Sequence, residues 1–254
     1  MKKLVKILAP VLILALLIAG CSTSAKNPDT RYDLSAPPEV QLFPPENQVF
    51  GEEFDQVYEE FKDIVSKRDY ENFARFLDEN TATSPDPQNP TGVDEFYDAW
   101  AFNYFDPASS ALWPELDEII RLGGRFDAET QTFMAPYTVF DCPDEFKDDN
   151  SDYCFILIDK NVNLYEENDI GSIVIAKLDY NIVYLDRAER GFFDKAGTDL
   201  IKINTLSGVE GYIEKQSMKS LLEWRIKINK TEEGWKLEYL IFGKELEWIR
   251  RSMK

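Results

Sequence analysis

The sequence predicts an α+β protein, with an N-terminal α-helical domain at 52–150 and β-strands over 151–246. Apolar residues recur at helical spacing in the first of these regions, whereas they alternate with polar residues in the second. The 254 residues are 44% hydrophobic and 13% aromatic, which is enough apolar material for a packed core. This composition excludes a disordered chain, and residues 247–254 are expected to form a short C-terminal tail.

Residues 1–20 have the pattern of a secretory signal, in which a short basic start precedes an apolar run. The run is shorter than the roughly 20 residues that a membrane-spanning helix needs. It ends in Ile-Ala-Gly-Cys at 18–21, which resembles the lipobox of bacterial lipoproteins. The resemblance implies that 1–20 is removed and that Cys21 carries the lipid, while Ser22 favours the outer membrane, facing the periplasm. The alternative is an ordinary secretory signal that contains a cysteine.

Residues 21–51 are expected to form a proline-rich spacer behind the lipid. Their prolines are spread along the segment and their apolar residues show no period, which is typical of an extended linker. The net charge of -19 also favours a domain held away from an anionic membrane surface.

Helical spacing is clear at several points of the 52–150 region. The predicted helices cover the apolar stripes at 54–65, 70–77, 93–104 and 114–122. A loop must separate the second stripe from the third because 84–90 contains three prolines. Aromatic residues at 97–113 would also suit a ligand groove, but at this spacing we interpret them as core.

Two cysteines remain once Cys21 is assigned to the lipid. Cys142 and Cys154 flank a polar acidic loop, and two cysteines in an oxidising compartment favour one disulfide. A reactive thiol is the alternative, but acidic neighbours raise a thiol pKa and the chain lacks a histidine to activate it. We therefore expect a disulfide that closes this loop.

The C-terminal strands resemble a known family. Strands are predicted at 162–164, 173–178, 182–185, 200–203 and 211–213, followed by a hairpin at 224–241. The segments 162–167, 171–178 and 208–213 are similar to the first strand, the strand after the first loop and the closing strand of bacterial SH3-like domains. The resemblance covers about 155–220 and implies a small β-barrel, to which the hairpin would be appended. Bacterial envelope lipoproteins with a helical domain before such a barrel share this order.

The same resemblance implies that exposed aromatic residues of the barrel would form a ligand-binding groove. The candidates are Tyr165, Tyr180, Phe192, Phe193 and Tyr212. Tyr165 stands where the family often has arginine, and Asn181 stands where it favours glycine. We expect at least half of the candidates to be buried in the core instead.

Composition excludes several classes of function. The absence of histidine removes Ser-His-Asp and Cys-His catalysis and histidine-containing zinc sites. An excess of acidic residues, 47 against 28 basic ones, argues against a nucleic-acid partner. Nucleotide-binding glycine motifs are missing as well. Paired carboxylates could hydrolyse sugars, but the sequence does not single out a pair. We therefore expect no catalytic residues, metal site or cofactor.

These observations lead to two functional hypotheses for a membrane-anchored envelope lipoprotein. In the first, the SH3-like domain binds a cell-wall peptide (from peptidoglycan) or a segment of an envelope protein. In the second, the protein is structural and docks a partner protein through its helical domain, whose acidic surface selects a basic partner.

Overall fold

The computed structural model describes residues 30–46, 50–83, 92–147, 151–188 and 199–243. The signal segment, Cys21, Phe192, Phe193 and the tail at 247–254 lie outside the described residues. The helices are α1 (Glu52–Lys67), α2 (Tyr70–Phe73), α3 (Gly92–Ala99), α4 (Leu112–Leu122) and α5 (Tyr137–Phe140). Short 3-10 turns lie at Ala74–Phe76, Pro107–Ser109, Asp144–Phe146, Ser151–Tyr153 and Lys215–Ser217.

The strands form two sheets and are mostly antiparallel, which confirms the α+β class. They are β1 (Ala82–Thr83), β2 (Arg125–Asp127), β3 (Thr132–Ala135), β4 (Cys154–Leu157), β5 (Val162–Tyr165), β6 (Val174–Leu178), β7 (Ile182–Leu185), β8 (Leu200–Thr205), β9 (Glu210–Glu214), β10 (Met218–Ser220), β11 (Arg225–Thr231) and β12 (Gly234–Ile241). The five-stranded sheet has the order β1-β12-β11-β3-β2, and the seven-stranded sheet has the order β10-β4-β7-β8-β9-β5-β6.

Local sequence signals set the ends of the two longest helices. Helix α1 has acidic residues in its first turn and ends at Arg68, whose φ of 58° is left-handed. Helix α4 ends at Gly123, whose φ is 75° and whose N–H donates to the carbonyls of Ile119 and Ile120. Glycine adopts this conformation without the clash that a Cβ would cause, so the predicted stop at this position is physically explained.

The helical unit, which comprises α1–α4 and the five-stranded sheet, has one hydrophobic core. Phe54, Trp113 and Leu116 from the helices pack with Phe133 of β3. The C-terminal hairpin shares this core through residues such as Ile228 and Leu237. The hairpin was predicted to be appended to the barrel and 52–150 was predicted to be helical, and the structure differs on both points. The reason is that β11 pairs with β3 and that β12 pairs with β1, so the hairpin completes this sheet.

The seven-stranded C-terminal sheet has a separate core formed by residues such as Leu164, Leu178, Val183 and Ile203. The described strands form an open row with β10 and β6 at its ends. The expected closure into a barrel is therefore not observed among the described strands. A 3-10 turn at Lys215–Ser217 separates β9, in the interior of the row, from β10, which pairs with β4 at one end of it.

Residues 30–46, which we name the strap, lie on the C-terminal sheet rather than extending as a spacer. The Tyr32 N–H donates to the carbonyl of Ile175 at 3.0 Å, and the Ile182 N–H donates to the carbonyl of Val40 at 2.8 Å. The buried carboxylate of Glu39 accepts from the hydroxyl and the N–H of Ser207 at 2.6 and 3.0 Å. The expectation of a free spacer therefore does not describe this part of 21–51.

Gly124 is expected to tolerate no side chain. A Cβ at this position would lie 2.7 Å from the Cβ of Ala135 and still closer to the backbone oxygen of Met134. The Gly124→Ala variant should lose about 1–3 kcal/mol of stability, because neither neighbour can move without displacing β3. Urea unfolding measures this loss. Gly171→Ala is the matched control, since its Cβ would first meet a side-chain oxygen of Asp169 at 3.4 Å, and an equal loss in both variants would contradict the argument.

Candidate binding groove on the C-terminal sheet

The structure separates the predicted aromatic ligand residues. Tyr165, at the end of β5, is 6% exposed, and its hydroxyl accepts from the side-chain amide of Asn163 at 3.1 Å. Tyr212 is its direct partner on β9 and is half-buried. Tyr180 lies in the turn between β6 and β7, where its ring packs edge-on against Phe43 of the strap at 5.4 Å. Tyr165 and Tyr212 therefore lie together, whereas Tyr180 contributes to holding the strap.

A groove of about 710 Å³ opens beside Tyr165 at one end of the sheet. Ile170 approaches it from the β5–β6 loop and Asp199 from the start of β8. Lys215 comes from the 3-10 turn after β9, and Lys219 comes from β10. Its volume lies within the range of small-ligand sites, about 300–1,000 Å³.

The groove combines apolar and charged groups of both signs. Ile170 is 68% exposed and supplies an apolar contact, and the nearly buried Tyr165 also lines the groove. Lys215 and Lys219 supply positive charge, and Asp199, Glu214 and Glu223 supply negative charge. Such a lining suits a ligand that carries both a carboxylate and an ammonium group on a partly apolar body.

The β5–β6 loop that carries Ile170 is braced by its own hydrogen bonds. The hydroxyl of Ser172 accepts from the Glu167 N–H at 3.1 Å, and Asp169 accepts from the Gly171 N–H at 2.8 Å. The strap adds an ion pair between Arg31 and Glu166 at 2.7 Å. The apolar tip of the loop is therefore presented by an ordered backbone, which reduces the entropy lost when a ligand binds.

Lys219 joins the groove to helix α4. Its ammonium group lies 2.7 Å from the carboxylate of Glu118, which also accepts from the guanidinium of Arg121 at 2.6 and 2.8 Å. Arg121 and then Lys219 lower the pKa of Glu118 to about 2. Burial and the charge of Glu223 raise the pKa of Glu115 on the same helix. The seam between the helical unit and the C-terminal sheet is thus a charged contact that reaches the groove.

The carboxylates at this seam do not form a site for sugar hydrolysis. Glu115, Glu118 and Glu223 line a space of only about 10 Å³. That is far below the roughly 300–1,000 Å³ of small-ligand sites, so this space does not offer the room that a sugar needs between two catalytic carboxylates.

Cys142 and Cys154 are two buried free thiols in the structure. The expected disulfide is therefore not present as a bond, although the two side chains are in contact. A hydrogen bond with Cys154 lowers the pKa of the Cys142 thiol, and burial opposes this shift. Apolar residues of the strap and of β7 pack around the pair, including Val40 and Ile182.

Of the residues predicted to bind a ligand, Tyr165 lines the groove, whereas Tyr212 pairs with it on β9 but is not part of the lining. Ile170, Lys215 and Lys219 lie on a loop, a turn and a short strand that become neighbours only through the strand order. A large apolar residue within the polar loop 166–172 was the one sequence signal available.

Comparison of the chain with models of protein families, with curated proteins and with solved structures finds no match in any of the three. Within the described residues, no helix combines the length and the apolar character needed to cross a bilayer. The same part of the chain contains no group of three or more Cys, Asp or Glu residues arranged to hold a metal ion.

Proposed function

We propose that this protein is a lipid-anchored, non-catalytic component of the bacterial cell envelope that binds a peptide in the groove beside Tyr165. The peptide would come from peptidoglycan or from an envelope protein. The signal pattern and Cys21 support the anchor, and Ser22 favours the outer membrane with the protein facing the periplasm. The observation that carries the binding role is the groove itself, which combines an exposed apolar side chain with charges of both signs.

The SH3-like assignment of the C-terminal sheet is part of this proposal. The three segments that carry the sequence resemblance supply β5, β6 and β9, which are neighbours in the sheet. Strands β7, β8 and β9 form an antiparallel meander, and the 3-10 turn at Lys215–Ser217 then leads to β10. This order supports an SH3-like architecture that stays open in the described residues.

Groove variants should weaken co-sedimentation of the protein with purified peptidoglycan. Ile170→Asp removes the apolar contact and Lys215→Glu reverses a charge, so each should lower the affinity about tenfold, as loss of a central contact typically does. The matched control is Ile173→Asp, which makes the same change at a residue that is 62% exposed in the same loop but outside the groove.

Equal binding by all three variants and the unmodified protein would refute the groove as the binding site. If the unmodified protein does not co-sediment at either low or high salt, the peptidoglycan form of the proposal fails. The measurement then has to be repeated with immobilised envelope proteins.

A second role, in assembly, is favoured by a different surface. Tyr104 and Phe105 follow helix α3 and are 67% and 72% exposed. Large aromatic side chains exposed side by side are typical of protein interaction sites. Both were predicted to be core residues, and they differ from Trp100, Phe102 and Trp113, which are buried as expected.

A further inference from the structure

Tyr104 and Phe105, which we name the aromatic patch, are held outward by a tight turn after α3. Their N–H groups both donate to the carbonyl of Ala101 at 3.2 Å. Ala101 itself adopts a left-handed φ of 60°, a conformation that costs free energy for a residue with a Cβ. The turn therefore fixes the backbone of the patch, and both rings project from an ordered segment rather than from a free loop.

A hollow of about 380 Å³ lies beside Phe105. Trp100 is nearly buried and lines it, while small residues such as Ala99, Ser109 and Ala111 leave it open. The hydroxyl of Ser110 donates to the carbonyl of Trp100 at 2.6 Å, which ties the two sides together. The hollow can accept an apolar side chain of a ligand, next to the part of that ligand that contacts the aromatic rings.

The charged residues near the aromatic patch along the chain have one sign. The chain has no lysine or arginine between Arg75 and Arg121, whereas acidic residues recur throughout that stretch. Asp98 and Asp106 flank the patch and are exposed. Asp98 accepts from the side-chain amide of Asn103 at 2.6 Å, and Asp106 accepts from the Ala108 N–H at 3.1 Å, so both carboxylates are oriented. A second copy of this surface would be repelled, and an anionic lipid surface would be repelled as well.

We propose that the aromatic patch binds an arginine-containing basic segment of a partner protein. A guanidinium group can lie flat on the Tyr104 or Phe105 ring while it pairs with Asp98 or Asp106, and an adjacent apolar side chain can fill the hollow. A lysine side chain can pair with these carboxylates, but it does not stack on the rings in the same way, because its ammonium group is compact and strongly hydrated. This inference rests on the assembly role proposed above and specifies the chemistry of the partner.

The test compares two synthetic peptides, nona-arginine and nona-lysine, with the full chain in nonionic detergent. Net charge attracts both peptides equally and salt screens both equally, so the ratio of their affinities isolates the contribution of the rings. The unmodified protein should bind nona-arginine about fivefold more tightly. The Tyr104→Ser, Phe105→Ser double variant should bind the two peptides with nearly equal affinity. Phe43→Ser is the control because Phe43 is also an exposed aromatic residue, and it should preserve the ratio.

The inference is overturned if the unmodified protein shows no preference for arginine, or if the double variant preserves it. It is also overturned if Phe43→Ser removes the preference to the same extent. A photo-crosslinking amino acid in place of Tyr104, used in native envelopes, tests the assembly role alone. A crosslinked partner whose contact segment lacks arginine would leave that role intact and refute the inference, whereas no crosslink above background would refute the role itself.

Discussion

A chain that ends at Leu222 is expected to lose the folded helical unit. The truncation removes β11 and β12, and with them Ile226, Ile228, Leu237 and Leu240, all of which are fully buried in the core of that unit. Burial of each such side chain contributes about 1.5–3 kcal/mol, so the four together approach the whole stability of a typical domain, about 5–15 kcal/mol. Far-ultraviolet circular dichroism should show the loss of helix, and hydrogen exchange should show unprotected amides in α1 and α4.

The matched control is a chain that ends at Gly243, which retains every strand of the five-stranded sheet. It should unfold cooperatively and keep those amides protected. If the chain that ends at Leu222 retained protected amides in α1 and α4, the hairpin would be an accessory to the helical unit rather than a part of its core.

The hairpin illustrates how far the sequence predicts this fold. Alternation over 224–241 predicted two strands with one apolar face, and the structure has β11 and β12 within that range. Alternation shows that a face will be buried, but it does not show against which core. The pairing partner β3 is only four residues long and lies in a region dominated by helical periodicity. The hairpin was therefore predicted to pack with the strands that precede it along the chain, which are those of the C-terminal sheet.

The strap was missed for a different reason. Its contacts with the C-terminal sheet are made largely by backbone N–H and carbonyl groups, such as those of Tyr32 and Val40. Every residue except proline carries both of these groups, so composition and periodicity do not reveal the contact. Glu39 could not be distinguished from other acids, because its importance comes from Ser207, which is far along the chain.

Among the described residues that line the groove, Tyr165 alone was predicted from the sequence. Tyr165 follows from a strand position that the resemblance indicated, and the predicted Tyr212 is its partner on β9 but lies outside the groove lining. Ile170 and Lys215 depend on the path of a loop and a turn, for which the sequence gives the residue types but not the relative positions.

Oxidation of Cys142 and Cys154 to a disulfide is expected to stabilise the protein by about 3 kcal/mol, the value of the chain-entropy model for a loop of about a dozen residues. The two buried thiols are already in contact, so little rearrangement is needed to form the bond. The lowered pKa of Cys142 increases its thiolate fraction, and the thiolate is the form that attacks a disulfide oxidant. Urea unfolding with and without reductant, after treatment with oxidised glutathione, measures the difference.

Cys142→Ser is the control because it cannot form the bond, and its stability should not depend on reductant. Alkylation of both cysteines in the oxidised, denatured sample would show that no bond had formed and would contradict the prediction.

A bond between Cys142 and Cys154 would have a specific structural consequence, because Cys142 follows α5 and Cys154 is the first residue of β4. It would join the end of the helical region to the C-terminal sheet beneath the strap, where Val40 and Leu42 pack. In an oxidising compartment this bond would add a covalent link between the two regions to the ion pair of Lys219 with Glu118.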